Sequence, residues 1–379
     1  MSIFRGPSEP FATRVHLERL TRAAVEAGER GLDGLLITPS HDYLYLLGYL
    51  PPALERLTCL VLPADGPPAL VLPRLEASLA RHELGDLAEH LEIDAWDETD
   101  DPFDRVRIRL GSAVTRVGIQ DQMWARFVLR FRAMLDPVEL VAAGRTMSAL
   151  RRRKSPDEVD RLRLAGAAAD AAMQEIMQEP FAGRSEAQVS GRIRELLLDA
   201  GHDTADFAIV GSGPNSASPH HTAGDRLIGP GDAVVLDIGG TRARYCSDTT
   251  RTAFVGEPPP EFAELYEVLQ AAQAAACEAV LPGVPAEEVD AAARDIIRAA
   301  GFGDQFIHRT GHGIGMETHE EPYLVAGNGE PLQPGDAFSI EPGIYVAGRW
   351  GARIEDILVC TETRGERLNL TRRDLYLVD

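Results

Sequence analysis

Residues 230–240 and 334–344 follow one pattern: the first reads PGDAVVLDIGG and the second PGDAFSIEPGI. Each begins with the turn PGDA, continues as a short apolar run, and then delivers a carboxylate, Asp237 in one case and Glu341 in the other. The two turns lie 104 residues apart, and so do the two acids. An apolar run bounded by a turn signal reads as a buried strand. An ionised carboxylate carried into a core without a partner is costly. A chain that does this twice at one offset is constrained to a duplicated fold whose matching strands bring their acids into one interior. A bound metal would account for both.

The segments before each copy agree with a duplication. Residues 151–177 open a long helix with Ser155 as N-cap, Pro156 at its first position and Glu158 closing a capping box. A second box, SEAQ at 185–188, starts another helix that runs through VSGRIRELLLDAG. Helical stretches at 261–281 and 286–300 hold the equivalent place before the second copy. Each half therefore reads helix, helix, strand hairpin, which defines a large duplicated α+β domain over residues 141–379. Residues 1–140 read differently. A helix over 12–30 is followed by strand candidates at GLDGLLITPS, 57–63, 68–73, 90–96 and 115–120, with helical stretches between them. That alternation predicts a separate α/β domain of ordinary size.

Further acids and histidines surround the two anchors. GG at 239–240 is expected to form a turn, and the returning strand ARYCSDTTRTAFV carries Asp248. In the second half GARIEDILV supplies Glu355, 14 residues after Glu341, against 11 between the two aspartates. HRTGHGIGMETHE, lying between the copies, holds His308, His312 and His319. Its glycines do not make a nucleotide loop, because no strand–loop–helix context surrounds them, and GSGPNS at 211–216 also fails the dinucleotide pattern. Asp248 alone would read as a hairpin polar residue, and a lone histidine as a satisfied core group. Three histidines beside four acids read as a site. Four carboxylates and one imidazole suit manganese, cobalt, iron or zinc, and two divalent ions sharing bridging carboxylates balance the charge.

Composition excludes several other roles. The net charge of −21 argues against wrapping nucleic acid or lying on an anionic membrane. The four cysteines, Cys59, Cys246, Cys277 and Cys360, are widely spaced and form no C-x-x-C pair. They read as reduced structural thiols. No run of about 18 uncharged apolar residues is present to span a membrane, and the N-terminal residues lack a charged-then-apolar signal pattern. A cytoplasmic protein is expected. Lys154 is the only lysine, and all the other basic residues are arginine.

Asp237, Asp248, His312, Glu341 and Glu355, with the motifs LDIGGTRARYCSDTTRT, GHGIGMETHE, SIEPGIY and RIED, resemble the pita-bread metallopeptidases. This group includes methionine aminopeptidase, prolidase and aminopeptidase P. The likeness covers essentially the whole chain. The leading α/β domain and the sequence Gly343-Ile344-Tyr345 resemble the proline-specific branch. The resemblance implies that Asp237 and Asp248 bind one metal and that His312 and Glu341 hold the other, with Asp248 and Glu355 bridging. It implies that a bridging hydroxide attacks the carbonyl before proline and that Glu341 also serves as general base. His220, 17 residues before Asp237, would lie near the scissile bond; adjacent residues of an extended segment point oppositely, so its neighbour His221 is expected to be structural or exposed. His319 would stabilise the tetrahedral intermediate, and His308 would line the proline pocket. Arg353 and Tyr345 would form a relay to Asp237. The expected activity is manganese-dependent hydrolysis of Xaa-Pro dipeptides by a homodimer. The alternatives are an Xaa-Pro aminopeptidase acting on longer peptides, a metal-free hydrolase resembling creatinase, and a binding protein on the same scaffold. The complete ligand set counts against the last two.

Overall fold

The computed structural model describes residues 11–379, and these divide into two compact units. One ends at Arg151, and the other runs from Arg152 to Asp379. The first is built on a six-stranded sheet in the order Glu92–Trp96, Ala69–Pro73, Cys59–Pro63, Gly34–Ile37, Arg116–Ile119, Glu139–Ala142. The three strands from Gly34 to Pro73 pair antiparallel, and the outer strands pair parallel. One face of the sheet carries Leu36, Val61, Val71 and Val117, which pack against Val106 and Leu110 of the helix Pro102–Leu110 and Phe127 and Phe131 of the helix Ala125–Leu135. The strands Gly34–Ile37, Cys59–Pro63 and Ala69–Pro73 are buried along their whole length, as expected of strands covered on both faces.

The second unit contains the duplicated motif. Its first half begins with the helices Pro156–Ile176 and Glu186–Asp199. Each starts at a complete capping box, Ser155 with Glu158 and Ser185 with Gln188. These helices bury Ala169, Met173, Ile176, Val189, Ile193 and Leu197 against a sheet ordered Tyr376–Val378, Thr249–Val255, Ala233–Arg242, Thr204–Ser212. The second half repeats the arrangement. Helices Pro260–Glu278 and Ala286–Ala299 pack Leu269, Ala276, Val289 and Ile297 with Phe338, Ile340 and Leu358 of a sheet ordered Glu320–Leu324, Gly311–Gly313, Ala337–Ile340, Asp356–Cys360, Gly365–Arg367. A two-stranded ribbon, Gly343–Val346 with Trp350–Arg353, follows Glu341.

The hairpin after Asp237 departs from the sequence expectation. Gly239 and Gly240 do not turn; they lie inside the strand Ala233–Arg242. A side chain on Gly239 would strike the Phe207 ring and the Ser247 carbonyl, and one on Gly240 would strike the Thr204 carbonyl. The glycines therefore serve close approach of neighbouring backbone. The turn falls at Ala243 and Arg244, whose φ values of 50° and 70° are both positive, the conformation of a two-residue hairpin loop. Its dipeptide has neither the glycine nor the asparagine that usually marks such a turn.

Candidate metal centre

Asp237 sits near the middle of the strand Ala233–Arg242, paired across to Thr250 on one side and Ile209 on the other. Asp248 occupies the short bend between Tyr245–Cys246 and Thr249–Val255. Glu341 immediately follows the strand Ala337–Ile340, and its backbone N–H donates to the Thr310 carbonyl at 2.8 Å. Glu355 lies between the strands Trp350–Arg353 and Asp356–Cys360 and donates its N–H to the Thr250 carbonyl. The matching strands thus deliver their acids to one interior, Asp237 from within its strand and Glu341 just past the end of its own. His312 enters from the short strand Gly311–Gly313, where a side chain on either glycine would strike the carbonyls of Ser339 or Glu321.

These five groups are close together. His312 Nε2 lies 3.2 Å from Glu341 Oε1 and 3.7 Å from Asp248 Oδ2. Ligand-capable atoms of Asp248, His312 and Glu355 lie within 4.8 Å of one another, and all three residues are buried. The Nδ1 of His312 faces the Gly313 carbonyl at 3.1 Å, which leaves Nε2 directed at the carboxylates. Asp237 Oδ2 accepts from Arg353, but its Oδ1 is buried without a hydrogen-bond partner. A buried carboxylate oxygen left in this state requires a cation or other donor.

The electrostatics point the same way. Burial, then the charges of Glu355, Asp237 and Glu341, push the Asp248 carboxyl well above the ordinary aspartate range. Burial and Glu341 do the same to Glu355. Glu341 moves in the opposite direction. Burial would raise it, but the hydrogen bond and charge of His312, together with His308 and Arg353, bring it down to about 2. Four carboxylates share the space with the Arg353 guanidinium, and divalent cations would relieve their repulsion. The donor set of oxygens plus one imidazole fits such ions.

Around the acids runs a hydrogen-bonded chain. His308 Nε2 meets the Tyr345 hydroxyl at 2.9 Å, and Arg353 donates from Nη1 to that hydroxyl at 2.8 Å and from Nη2 to Asp237 at 2.7 Å. Arg353 Nε also donates to Thr250 Oγ1 at 3.1 Å, whose hydroxyl donates to Glu355 Oε2 at 2.8 Å. His319 stacks edge-on against His312 with ring centroids 4.0 Å apart. Burial and the neighbouring His312 lower its pKa to about 4. Burial likewise lowers that of His308. His220 is exposed, near enough to His319 to contribute to that shift. His221 instead contacts the buried carboxylate of Glu186 at 2.7 Å.

Sequence reasoning missed Thr250 and Glu186. Thr250 had a usable signal, since it stands opposite Asp237 once the turn is placed at Ala243–Arg244. Glu186 had none, because it is the first residue of a helix, where an acid ordinarily serves the helix dipole.

Comparisons with known proteins agree with this architecture. Residues 160–362 match the metallopeptidase family M24, and residues 19–153 match the creatinase/prolidase N-terminal domain. The chain is 47% identical over 373 residues to the probable dipeptidase PepE of Mycobacterium tuberculosis, covering 98% of this chain and 99% of that one. It is 33% identical over 360 residues to the Xaa-Pro dipeptidase of Pyrococcus furiosus, covering 94% and 99% respectively. The crystal structure of dipeptidase PepE from Mycobacterium ulcerans superposes with a TM-score of 0.94 at 47% identity, covering 98% of this chain and 100% of that chain.

Proposed function

This chain belongs to metallopeptidase family M24, and from that premise we propose that it hydrolyses the peptide bond preceding proline in Xaa-Pro dipeptides. It is a divalent-metal peptidase with a pita-bread catalytic unit behind a creatinase-type α/β unit. One observation carries the reading: four carboxylates and the Nε2 of His312 converge in a buried space where Asp237 Oδ1 lacks a protein partner.

Asp237, Asp248, His312, Glu341 and Glu355 are the proposed ligands of two divalent ions, with manganese the first candidate. When bound, such ions acidify water to a pKa of about 7 and polarise a carbonyl oxygen. The chain's own groups do the rest. Glu341, held ionised beside His312, takes the proton of the attacking water and passes it to the departing proline nitrogen. His319 donates to the oxygen that becomes negative in the tetrahedral intermediate. His220 orients the scissile peptide, and His308 lines the pocket for the proline ring. Tyr345 and Arg353 hold Asp237 in the orientation a ligand needs. A cytoplasmic location is supported by four buried free thiols. A homodimer follows from the family resemblance, and sedimentation in solution tests it.

The experiment is amino-acid release from Ala-Pro and Ala-Pro-Ala, using metal-stripped protein with and without manganese. Manganese-dependent cleavage of the dipeptide alone is expected. Cleavage of the tripeptide would make the protein an Xaa-Pro aminopeptidase. No cleavage of either by manganese-loaded protein would overturn the reading.

A further inference from the structure

Lys154 is the only lysine among 38 basic residues, and every other is arginine. The Lys154 side chain is 1% exposed, and its Nζ makes a short ion pair with Glu320, itself 8% exposed. Lysine brings to that pair a compact ammonium with three rotatable donors, a geometry unlike the planar fork of arginine.

The placement of the pair gives it a role. Glu320 follows His319 directly and pairs in register with Gly313, which follows His312. The Gly313–Glu320 pair therefore closes the foot of the 314–319 loop, and the register shifts by a bulge between His312 and Gly313. A side chain on Gly315 would strike the Glu320 carboxylate, so that carboxylate lies across the start of the loop. The Gly315 carbonyl accepts from the Cys246 N–H at 2.8 Å, two residues before Asp248. Lys154 itself is fixed at the entry to a capped helix. Its N–H donates to the Gly335 carbonyl at 2.8 Å, Arg152 binds Asp336 with two hydrogen bonds, and Glu158 accepts from the Tyr245 hydroxyl at 2.8 Å. Residues 152–158 thus grip three segments of the centre: the second PGDA turn, the strand before Asp248 and the foot of the histidine loop.

We propose that Lys154 is a positioning residue for hydrolysis, acting through Glu320 to hold the 314–319 loop so that the His319 ring stays against His312. The proposal rests on the reading above that His319 works in hydrolysis. The side chain touches no reacting atom. Without its ammonium, the Glu320 carboxylate loses a buried ion-pair partner at the foot of the loop, and the loop shifts with it, carrying the adjacent His319 away from His312.

A double-mutant cycle tests this on the manganese-loaded protein with Ala-Pro. Lys154→Met is expected to lower kcat by about 10- to 100-fold, the usual cost of an outer partner, with KM within about twofold. Combined with His319→Ala, it should add little to the loss caused by His319→Ala alone, since both act on one step. In metal-free protein, Lys154→Met should shift the ring-nitrogen NMR signals of His319, a readout independent of turnover. Glu320→Gln, which keeps the shape, should reproduce the kinetic pattern if Lys154→Met folds poorly. Losses that simply add in the double variant, or unmoved His319 signals, would overturn the proposal and leave the site reading intact. Full activity of His319→Ala would overturn both.

Discussion

Arg353 Nη2 donates to Asp237 Oδ2 at 2.7 Å, while the other oxygen of the same carboxylate has no protein donor. The guanidinium therefore fixes the plane of Asp237 and leaves Oδ1 for something else. Both side chains are nearly out of solvent, 3% and 12% exposed. Breaking a buried pair from one side leaves an uncompensated charge and costs about 3–5 kcal/mol. Arg353→Ala should lose that much stability in urea unfolding of metal-stripped protein. An unchanged midpoint would mean that the pair contributes nothing to folding.

Asp248 presents the reverse case. Burial and three neighbouring acids oppose its ionisation, so in metal-free protein the carboxylate works against the fold. Asp248→Asn keeps the shape and removes the charge. Metal-stripped Asp248→Asn should be more stable than wild type by about 1–3 kcal/mol, within the usual range for one substitution. Activity should fall by at least about a hundredfold. Manganese should no longer raise the melting temperature as it does for wild type. A variant that melts lower than wild type when stripped, yet still gains stability from manganese, would remove Asp248 from the ligand set.

Much of this arrangement is legible in the chain because it is written twice. The PGDA turns, the apolar runs and both capping boxes are local signals, and they place the strands that carry Asp237 and Glu341. What sequence cannot deliver is contact at a distance. Gly239-Gly240 looks like a turn, but its glycines exist for Phe207, Ser247 and Thr204, residues that only the folded sheet brings near. Ala243-Arg244 turns without turn residues because the pairing on either side, Thr241 with Cys246 and Arg242 with Tyr245, imposes it. Glu186 and the Lys154–Glu320 pair are invisible for the same reason: their partners lie 26 or more residues away.

Tyr345 joins the halves of the hydrogen-bonded chain, meeting His308 on one side and Arg353 on the other. Tyr345→Phe preserves the ring and removes the hydroxyl, so His308 and Arg353 each lose a partner while Arg353 keeps Asp237. The rate should fall about tenfold, at the low end of what outer partners contribute. Bound manganese per chain should stay at the wild-type value. An unchanged kcat would exclude the hydroxyl from the mechanism, and loss of metal would show that it supports the ligands themselves.

Glu186 organises the segment that carries His220. Its buried carboxylate accepts from the Ser212 N–H at 2.8 Å, the Ser212 hydroxyl at 2.7 Å and the Asn215 amide at 3.0 Å, and it meets His221 Nε2 at 2.7 Å. Burial raises its pKa, but these hydrogen bonds outweigh burial, and the group titrates below the ordinary glutamate value. A carboxylate depressed in the folded state stabilises the fold above its unfolded pKa, and that contribution is lost as pH falls through the folded value. Glu186→Gln places an amide N–H₂ among donors and leaves some unpaired, at about 1–3 kcal/mol. The stability gap between wild type and Glu186→Gln should therefore be full at neutral pH and shrink once the pH drops below about 4.3, the unfolded glutamate value. Because His220 adjoins His221, KM for Ala-Pro should also rise, with manganese content unchanged. A gap that is constant from pH 7 to pH 3, or that widens in acid, would mean that the charge of Glu186 is not what holds this segment in place.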